Sequence, residues 1–344
     1  MDESAHITLK DVAKSAGVSV ATVSLALRNH PKIPADHRTA IQETALRMGY
    51  RPDPMAAALS YKRGHFKTRA IHAELAWINH WQEPQRLRSY REFNLYWRGA
   101  AQAAERHGFR LEEFVVGPKL SFSRLEGILQ SRNIQGVLVP PHGGEAVTTP
   151  NDKSLNWRQY SVVKFGYSIS SLQANVVGSN QMQGAMLAFS EIRKRGYQRI
   201  GYVCYFCPGT HCKAGIFLAQ ADLPPDQRLP IIELNTRSAN YVEAFHQWLR
   251  AHRPDAILTE VAETRELLER LGIRVPDDIA LASISVLDGH ADAGIDQNSE
   301  EIGRVAAETV IRQIYSHSAG FETCRCETLV DAAWQDGSTV PNLG

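Results

Sequence analysis

The sequence predicts a small all-α unit at the N-terminus, followed by a larger α/β unit built on parallel sheets. Two observations carry this prediction. Within residues 8–29, apolar side chains recur at helical spacing on both sides of a glycine. From Arg69 onward, short apolar runs typical of buried strands alternate with longer amphipathic segments. That alternation is the order of βαβ units, and roughly 270 residues of it provide enough chain for two subdomains.

Residues 8–29, TLKDVAKSAGVSVATVSLALRN, predict two short helices joined by a tight turn. Thr8 is a good N-cap, and Asp11 stands at the position that completes a capping box. Gly17 ends the first helix, since glycine readily adopts the left-handed conformation that follows a helix. Ser19 then caps the second helix.

A helix, a glycine-containing turn and a second helix make up a helix-turn-helix, whose second helix enters the major groove of DNA. Spacing alone fits an ordinary helical hairpin equally well. The inner face of the second helix is predicted to hold Val23, Ala26 and Leu27. Its outer surface is predicted to hold Val20, Ala21, Thr22, Ser24, Leu25 and Arg28.

A third helix follows, with Pro34 in its first turn and an inward stripe of Ile41, Ala45 and Met48. After a linker at 50–52, residues 53–60 read DPMAAALS, with an N-cap, a proline at the first helical position and an apolar end. An isolated helix this short is marginal in water. The residues alone therefore leave a flexible linker with helical tendency as an alternative.

The larger unit divides into strands and helices in turn. Strands are predicted at 70–78, 111–116, 136–140, 160–165, 174–177, 199–205, 256–259 and 279–284. Helices are predicted at 93–108, 123–131, 183–195, 241–252, 263–271 and 300–316. The polar and basic segment 82–91 is predicted to be a solvated insertion.

Charge is distributed unevenly along the 344 residues. The whole chain carries a net charge of +1, but residues 1–69 hold eleven Lys and Arg against six Asp and Glu, which is +5 and leaves −4 for the rest. A basic N-terminal unit suits contact with phosphates, although a solvated basic surface would have the same composition. No apolar run reaches membrane-spanning length, and the start lacks the layout of a signal peptide. With five cysteines, we expect a soluble cytoplasmic protein with free thiols.

The helix-turn-helix segment resembles the N-terminal motif of the lactose-repressor/galactose-repressor (LacI/GalR) family, whose pattern T-hydrophobic-x-DVA-x-x-AGVS-x-x-TVS is nearly intact at 8–24. Weaker matches to the family's sequence pattern follow in the same order along the chain, at 96–101, 196–203, 254–257, 271–279, 297–304 and 336–339. The resemblance implies a helix-turn-helix headpiece at 1–50, a hinge helix and linker at 51–68, and a core at 69–344. That core would consist of two parallel-sheet subdomains similar to periplasmic sugar-binding proteins, with a ligand cleft between them.

By this resemblance the chain is a sequence-specific transcriptional regulator, a homodimeric repressor of a pseudo-palindromic operator whose affinity a small effector modulates. Two hinge helices would pack in the minor groove, where Leu59 wedges into a base step. The DNA-binding set is Thr8, Leu9, Ser19, Val20, Ala21, Thr22, Ser24, Leu25, Arg28, Asn29, Ala58 and Leu59. Because its groove-facing members are largely apolar, we expect reliance on thymine methyls and DNA shape. No cofactor, metal or membrane partner is expected.

Departures from the family fall on positions that bind its effectors. Cys212 replaces an arginine, Ser285 and Asn180 each replace an aspartate, and the Asn-Asp pair after the strand at 256–259 is missing. Arginine and aspartate grip sugar hydroxyls by charge-assisted hydrogen bonds, so an ordinary sugar pocket is disfavoured. A different pocket would be lined by Trp81, Cys212, Lys213, Ser285 and Gln297. A cleft that binds nothing, or answers another signal, is the alternative.

Cysteines near residue 207 permit a metal or redox site as a less favoured interpretation. Cys204, Cys207, His211 and Cys212 fall within nine residues, but no second ligand pair at finger-like spacing follows. Small buried thiols at a strand end are the commoner outcome. Cys324 and Cys326, in an exposed-looking strand, are weaker candidates still.

Two other functional classes fit the sequence less well. An enzyme is disfavoured, because the chain has no dinucleotide fingerprint, no phosphate-binding loop and no nucleophile elbow. The run PHGG at 141–144 superficially matches an esterase oxyanion motif, but a turn after a strand explains it. A sugar-binding module without regulation is disfavoured by the basic headpiece.

Overall fold

The computed structural model describes residues 8–27, 32–48, 50, 73–142, 155–169, 171–205, 211–316 and 325–344. The chain divides into two compact units, Met1–Ala70 and Ile71–Gly344. The proposed hinge segment at 53–60 lies outside the described residues.

In its described part, the first unit contains three helices: α1 (Leu9–Ala16), α2 (Val20–Leu27) and α3 (Ala35–Arg47). Each helix contributes two apolar residues to one small core, made of Val12, Ala13, Val23, Ala26, Ile41 and Ala45. Val12, Val23 and Ala26 are fully buried. The predicted all-α headpiece is confirmed, because the three helical stripes meet as their spacing requires.

The residues predicted to cap α1 and α2 and to end α1 do so in the structure. The backbone amide and the hydroxyl of Thr8 both donate to the Asp11 carboxylate, at 2.8 and 2.6 Å. Gly17 takes a left-handed φ of 67° after α1. The Ser19 hydroxyl accepts the amide of Thr22 at 3.1 Å, which satisfies one free donor at the start of α2.

The second unit contains a wholly parallel sheet whose described strands run in the order β11-β5-β4-β3-β1-β2. These strands are β1 (Ala73–Asn79), β2 (Phe109–Val115), β3 (Gly136–Val139), β4 (Ser161–Phe165), β5 (Asn175–Ser179) and β11 (Glu327–Val330). The helices of this subdomain are α4 (Pro84–Ser89), α5 (Arg91–Arg106), α6 (Phe122–Ser131) and α11 (Ser299–Tyr315). One apolar layer lies between the sheet and the pair α5 and α11, and another lies on the opposite face.

The other sheet has the described order β12-β10-β9-β8-β6-β7, parallel except for β12, which pairs antiparallel with β10. Its strands are β6 (Ile200–Tyr205), β7 (Ile232–Leu234), β8 (Ala256–Thr259), β9 (Ala280–Ser283), β10 (Ala293–Asp296) and β12 (Ala333–Gln335). Its helices are α7 (Gln181–Lys194), α8 (Cys212–Gln220), α9 (Tyr241–His252) and α10 (Thr264–Arg270). The prediction of two parallel-sheet subdomains is confirmed.

Within the described residues the chain passes between the subdomains three times: from β5 to α7, from β10 to α11, and from β11 to β12. Hydrogen bonds join the crossings. The Asn180 amide donates to the Asp331 carboxylate at 3.0 Å, and the Asn298 amide donates to the Asp331 carbonyl at 2.7 Å. Asn180 therefore belongs to the crossings, where an aspartate would face the Asp331 carboxylate.

Two local expectations need correction. The segment 82–91 is not merely a solvated insertion, because it contains α4, whose Leu87 is 1% exposed in the core of the first subdomain. Cys326 is exposed as expected, but it lies just before β11 rather than within a strand.

Candidate functional site

The surface that would meet DNA is the outer side of α2. Val20 is 40% exposed and Ala21 is exposed, whereas Val23 and Ala26, on the opposite side, are fully buried. The periodicity of one short helix thus separates a packing face from an apolar outer face. A helix whose outer side carries small apolar groups can approach the floor of the major groove closely.

The other proposed headpiece contacts fall into three groups. The hydroxyls of Ser19 and Thr22 lie 2.8 Å apart in the cap of α2, and Thr8 lies in the cap of α1. Leu9, Ser24 and Leu25 are half-buried, and Leu9 packs against the headpiece core. Arg28, Asn29, Ala58 and Leu59 lie outside the described residues.

Gln42 positions α2, a role that no sequence pattern indicates. Its side-chain amide donates a 2.9 Å hydrogen bond to the carbonyl of Ala26, near the C-terminal end of α2. That carbonyl belongs to the last turn, whose acceptors have no partner within the helix. Gln42 and Ala26 are 16 residues apart in the sequence, so no local sequence pattern predicts this contact.

The second candidate site is the cleft where the carboxyl ends of both sheets face each other. In open α/β sheets this edge is the usual place for ligands. The rings of Tyr167, after β4, and His211, before α8, lie 4.2 Å apart between centroids, which joins the two edges directly.

Trp81 is packed against its own subdomain. It is 5% exposed, its indole nitrogen donates to the Pro141 carbonyl at 2.9 Å, and its ring stacks on His142 at 5.0 Å. Tyr90 and Phe93 cover the cluster at 5.8 and 6.3 Å. In this arrangement, Trp81 supports the end of the sheet more than it lines an open surface.

His80 lies beside this cluster and is 7% exposed. Its ring centroid lies 4.9 Å from that of His142. Burial, and then the neighbouring His142, lower the pKa of His80 to about 4, so the ring is neutral at physiological pH.

Cys212 begins α8 and is 1% exposed. Its thiol is hydrogen-bonded to Glu260, which also accepts the hydroxyl of Tyr202. Burial, and then the neighbouring Glu260, raise the pKa of Cys212 well above its usual value, so the reactive thiolate is disfavoured. Glu260 follows β8, where the family-like Asn-Asp pair is missing, and it is a polar group of the cleft that the sequence pattern does not indicate.

Lys213 and Gln297 also have partners within the protein. The Lys213 ammonium lies 2.8 Å from the Glu233 carboxylate, and the Gln297 amide donates to the Ile284 carbonyl at 3.1 Å. Gln297 thereby joins a crossing to the end of β9.

Ser285 makes a second contact between the two subdomains. Its hydroxyl donates to the Glu92 carboxyl group at 2.5 Å. Asp288, three residues further on, accepts the backbone amides of Arg91 and Glu92 at 2.8 and 3.0 Å. The five effector candidates therefore form three separate groups, around Trp81, around Cys212 with Lys213, and around Ser285 with Gln297.

The described residues contain no group of three or more His, Cys, Asp or Glu side chains placed to hold a metal ion. Cys207 lies outside the described residues, while Cys204 and Cys212 are buried and neither is in a disulfide bond within the described part of the chain. In the same part of the chain, none of the helices has the length and apolar character needed to cross a bilayer.

Comparison with known proteins identifies both units. Residues 8–53 match the family model of bacterial regulatory proteins of the lacI family, and residues 189–331 match the periplasmic binding protein-like domain. The HTH-type transcriptional regulator PtxS of Pseudomonas putida is 27% identical over 333 residues, covering 91% of each chain. The HTH-type transcriptional regulator GntR of Escherichia coli is 25% identical over 331 residues, 90% of this chain and 92% of that one.

Two solved structures share the fold. The transcriptional regulator CelR in complex with cellobiose has a TM-score of 0.56 and 18% identity, covering 97% of this chain and 99% of that one. The lac repressor dimer bound to operator and the anti-inducer ONPF has a TM-score of 0.53 and 15% identity, with the same coverage.

The headpiece and the two-subdomain core define a DNA-binding transcriptional regulator with an effector-binding type of domain, rather than an enzyme. Its helix-turn-helix unit is of the lacI type, and PtxS and GntR, which match the chain over most of their length, are HTH-type transcriptional regulators.

Proposed function

We propose that this regulator is a homodimeric repressor that reads a pseudo-palindromic operator. The observation that carries the proposal is the two-sided α2, whose buried face is fixed by the headpiece core while Val20 and Ala21 stay exposed. Two such helices in a symmetric dimer would read two half-sites. The regulator would act in the cytoplasm of the bacterium, where the DNA lies.

The DNA contacts would divide between positioning and reading. Thr8, Ser19, Thr22, Ser24, Arg28 and Asn29 would lie near phosphates or at the helix end, and Leu9 would support them. Val20, Ala21 and Leu25 would contact base edges, with thymine methyls as partners for apolar groups. Since the phosphate contacts are electrostatic, operator affinity would fall as salt rises.

The proposed domain boundaries are a headpiece at 1–50, a hinge helix and linker at 51–68, and a core at 69–344. In the hinge, Ala58 and Leu59 would enter the minor groove, and Leu59 would open a base step. A helix of this length gains its stability from packing rather than from its own propensity, so it would form on the DNA.

The core would bind a small effector, a sugar or another compound, in the cleft between its subdomains. CelR was solved with cellobiose, but in this chain Cys212 replaces the arginine, and Ser285 an aspartate, with which the family would grip a sugar. Trp81, Cys212, Lys213, Ser285 and Gln297 are the proposed effector residues. For those that already have protein partners, ligand binding would exchange one hydrogen bond for another.

Genomic footprinting of the bound full-length chain tests the proposal. We expect protected sites with two-fold symmetry upstream of genes, and no such sites would overturn it. Leu59→Ala should weaken binding to a footprinted operator while the headpiece unfolds at the same temperature. Unchanged operator binding would remove the hinge assignment but leave the repressor proposal standing.

A further inference from the structure

Polar groups of the two core subdomains meet directly at the start of α5. The Ser285 hydroxyl donates to Glu92 Oε1 at 2.5 Å, and the Asp288 carboxylate accepts the amides of Arg91 and Glu92 at 2.8 and 3.0 Å. The Arg91 guanidinium donates to the Leu287 carbonyl at 3.2 Å. These bonds join the first turn of α5 to the loop that follows β9, across the cleft.

The start of α5 depends on the opposite subdomain for its cap. Tyr90, the N-cap residue, makes no side-chain hydrogen bond to the first turn. Asp288 supplies the acceptor instead, and a carboxylate at a helix N-terminus is also favoured by the helix dipole. Opening the cleft would leave the amides of Arg91 and Glu92 without these bonds.

Glu92 is enclosed in this junction at 9% exposure. Burial raises its pKa to about 7; the Ser285 hydrogen bond opposes the rise, while Asp288 and Asp296 add to it. The carboxylates of Asp288, in the loop after β9, and Asp296, at the end of β10, therefore lie close enough to Glu92 to disfavour its ionised form.

Basic groups on the elements packed around α5 are engaged elsewhere. Arg88 of α4 lies 3.0 Å from Glu113 of β2, and Arg98 of α5 pairs with Glu300 of α11. Arg304 of α11 pairs with the Glu301 and Glu308 carboxylates of its own helix. Two further ionisable groups of the junction are the Tyr96 and Tyr205 hydroxyls, whose pKa values are raised by burial and, among smaller causes, by Glu92 and Tyr90 respectively. The Arg91 guanidinium is the cation of the junction, but it donates to the Leu287 carbonyl and, among the described ion pairs, forms none with Glu92. An ionised Glu92 would thus meet the Asp288 and Asp296 carboxylates without an ion pair of its own.

We propose that Glu92, Ser285 and Asp288 form a proton-dependent latch that holds the two core subdomains together while Glu92 is protonated and weakens when Glu92 ionises. A neutral Glu92 accepts the Ser285 hydroxyl and does not repel the carboxylates beside it. Ionisation adds a third negative charge in a site poorly reached by water, where repulsion is strong. The charge is relieved when the subdomains separate and water reaches Glu92.

The sign of the pH dependence follows from the two states. In the open cleft, Glu92 returns toward its ordinary pKa of 4.5, whereas in the closed cleft it titrates near 7. Below the lower value both states hold the proton, and closure is fully favoured. As pH rises between the two values, the closing equilibrium should weaken by up to about tenfold per pH unit. Above the upper value it should level off.

Hydrogen exchange of the full-length chain, measured by mass spectrometry on peptides covering 85–96, tests the latch. After correction for intrinsic exchange rates, the Arg91 and Glu92 amides should be better protected at pH 5.5 than at pH 8, by more than about tenfold. Glu92→Gln, which stays neutral, should make their protection independent of pH. Glu83→Gln is the matched control, since Glu83 makes no capping bond, and it should keep the wild-type profile.

If circular dichroism shows that Glu92→Gln folds poorly, two further variants still test the latch. Ser285→Ala removes the bond that opposes the rise in pKa, so the protection midpoint should move to higher pH. Asp296→Asn removes a neighbouring charge, so the midpoint should move to lower pH. Equal protection at both pH values in the wild type, or midpoints that do not move, would overturn the latch. Neither readout involves DNA, so failure of the repressor proposal would be seen separately, in footprinting.

Discussion

Gly99 of α5 lies directly against the backbone carbonyl of Glu300 in α11. A Cβ at position 99 would overlap that oxygen, and Gly303 stands in the same relation to the carbonyl of Tyr96. The two helices thus approach through reciprocal glycines over the first sheet. Gly99 lies in the family-like segment 96–101, and Gly303 lies in the family-like segment 297–304. The close packing of the two helices therefore explains why each segment contains its glycine.

Gly99→Ala should therefore destabilise the core. The added methyl group meets backbone rather than a flexible side chain, and overpacking of this kind costs about 1–3 kcal/mol or more. Urea unfolding followed by tryptophan fluorescence isolates the effect, because all six tryptophans belong to Ile71–Gly344. Gly127→Ala, in α6, is the control: nothing lies within 4 Å of its Cβ. It should gain about 0.5–1 kcal/mol from helix propensity. Equal effects of the two substitutions would contradict the packing relationship.

Asp292 should make core stability depend on pH in the acid range. Its carboxylate accepts the amide and hydroxyl of Ser338 at 2.8 and 2.7 Å, and both groups of Thr339 at the same two distances. Burial would raise the pKa of Asp292, but these hydrogen bonds outweigh it and hold the pKa well below the ordinary 3.8. The stabilisation is present above the ordinary pKa and is lost as pH falls toward the lowered value.

Asp292→Asn should cost about 1–2 kcal/mol at pH 7, and its difference from the wild type should shrink below pH 4. Urea midpoints across a pH series measure both quantities. Asp222→Asn, at an exposed aspartate, should match the wild type throughout. A deficit that stays constant down to the lowest pH would argue against ionisation as its source.

Cysteine reactivity should follow burial. Cys326 is exposed, whereas Cys204 and Cys212 are fully buried or nearly so, and Cys212 is held as a thiol by its raised pKa. Maleimide labelling of the native chain, read out by peptide mass spectrometry, should modify Cys326 first, with Cys204 and Cys212 following only on unfolding. Rapid native labelling of Cys212 would revive the redox interpretation. Cys207→Ser and Cys324→Ser in the background keep the readout to these three thiols.

The exposed side of α2 should contribute affinity for DNA but little to headpiece stability. Val20→Ala removes two methyl groups from a 40% exposed side chain. If those groups are buried on base edges, operator binding should weaken by about 1–2 kcal/mol, roughly tenfold. Fluorescence anisotropy titration with the footprinted operator measures the loss. Leu46→Ala, at an 82% exposed leucine of α3, should bind as the wild type does; the same loss in both variants would count against a specific contact by Val20.

Structural features that depend on residues close together in the sequence could be predicted from it. Thr8 with Asp11, Gly17 and Ser19 defined the ends of α1 and α2, and apolar runs located strands such as Ala256–Thr259. The short strands β7 (IEL), β10 (AGID) and β12 (AWQ) were not predicted, because a glycine or a polar side chain leaves each with at most two consecutive apolar residues. The segment 82–91 was predicted to be solvated because polar residues surround Leu87, its one described core residue before Tyr90, and helix α4 was therefore missed.

The cleft was harder to anticipate, since its contacts join residues far apart in sequence. Ser285 and Glu92 are 193 positions apart, and Asn180 and Asp331 are 151 apart. Such pairs depend on how the crossings place one subdomain against the other. Ser285 stands out in the sequence because it replaces an aspartate of the family pattern, whereas its partner Glu92 shows no such departure and precedes the helix predicted at 93–108.

The three crossings in the described chain also govern how this protein can be taken apart and recombined. Because each subdomain is assembled from separated stretches of sequence, no single cut of the gene yields either one as a contiguous fragment. A headpiece can be exchanged at one junction, whereas grafting one subdomain requires at least three matched junctions. The headpiece, and with it the specificity for DNA, can therefore be exchanged easily. The two subdomains of the core are exchanged most easily together.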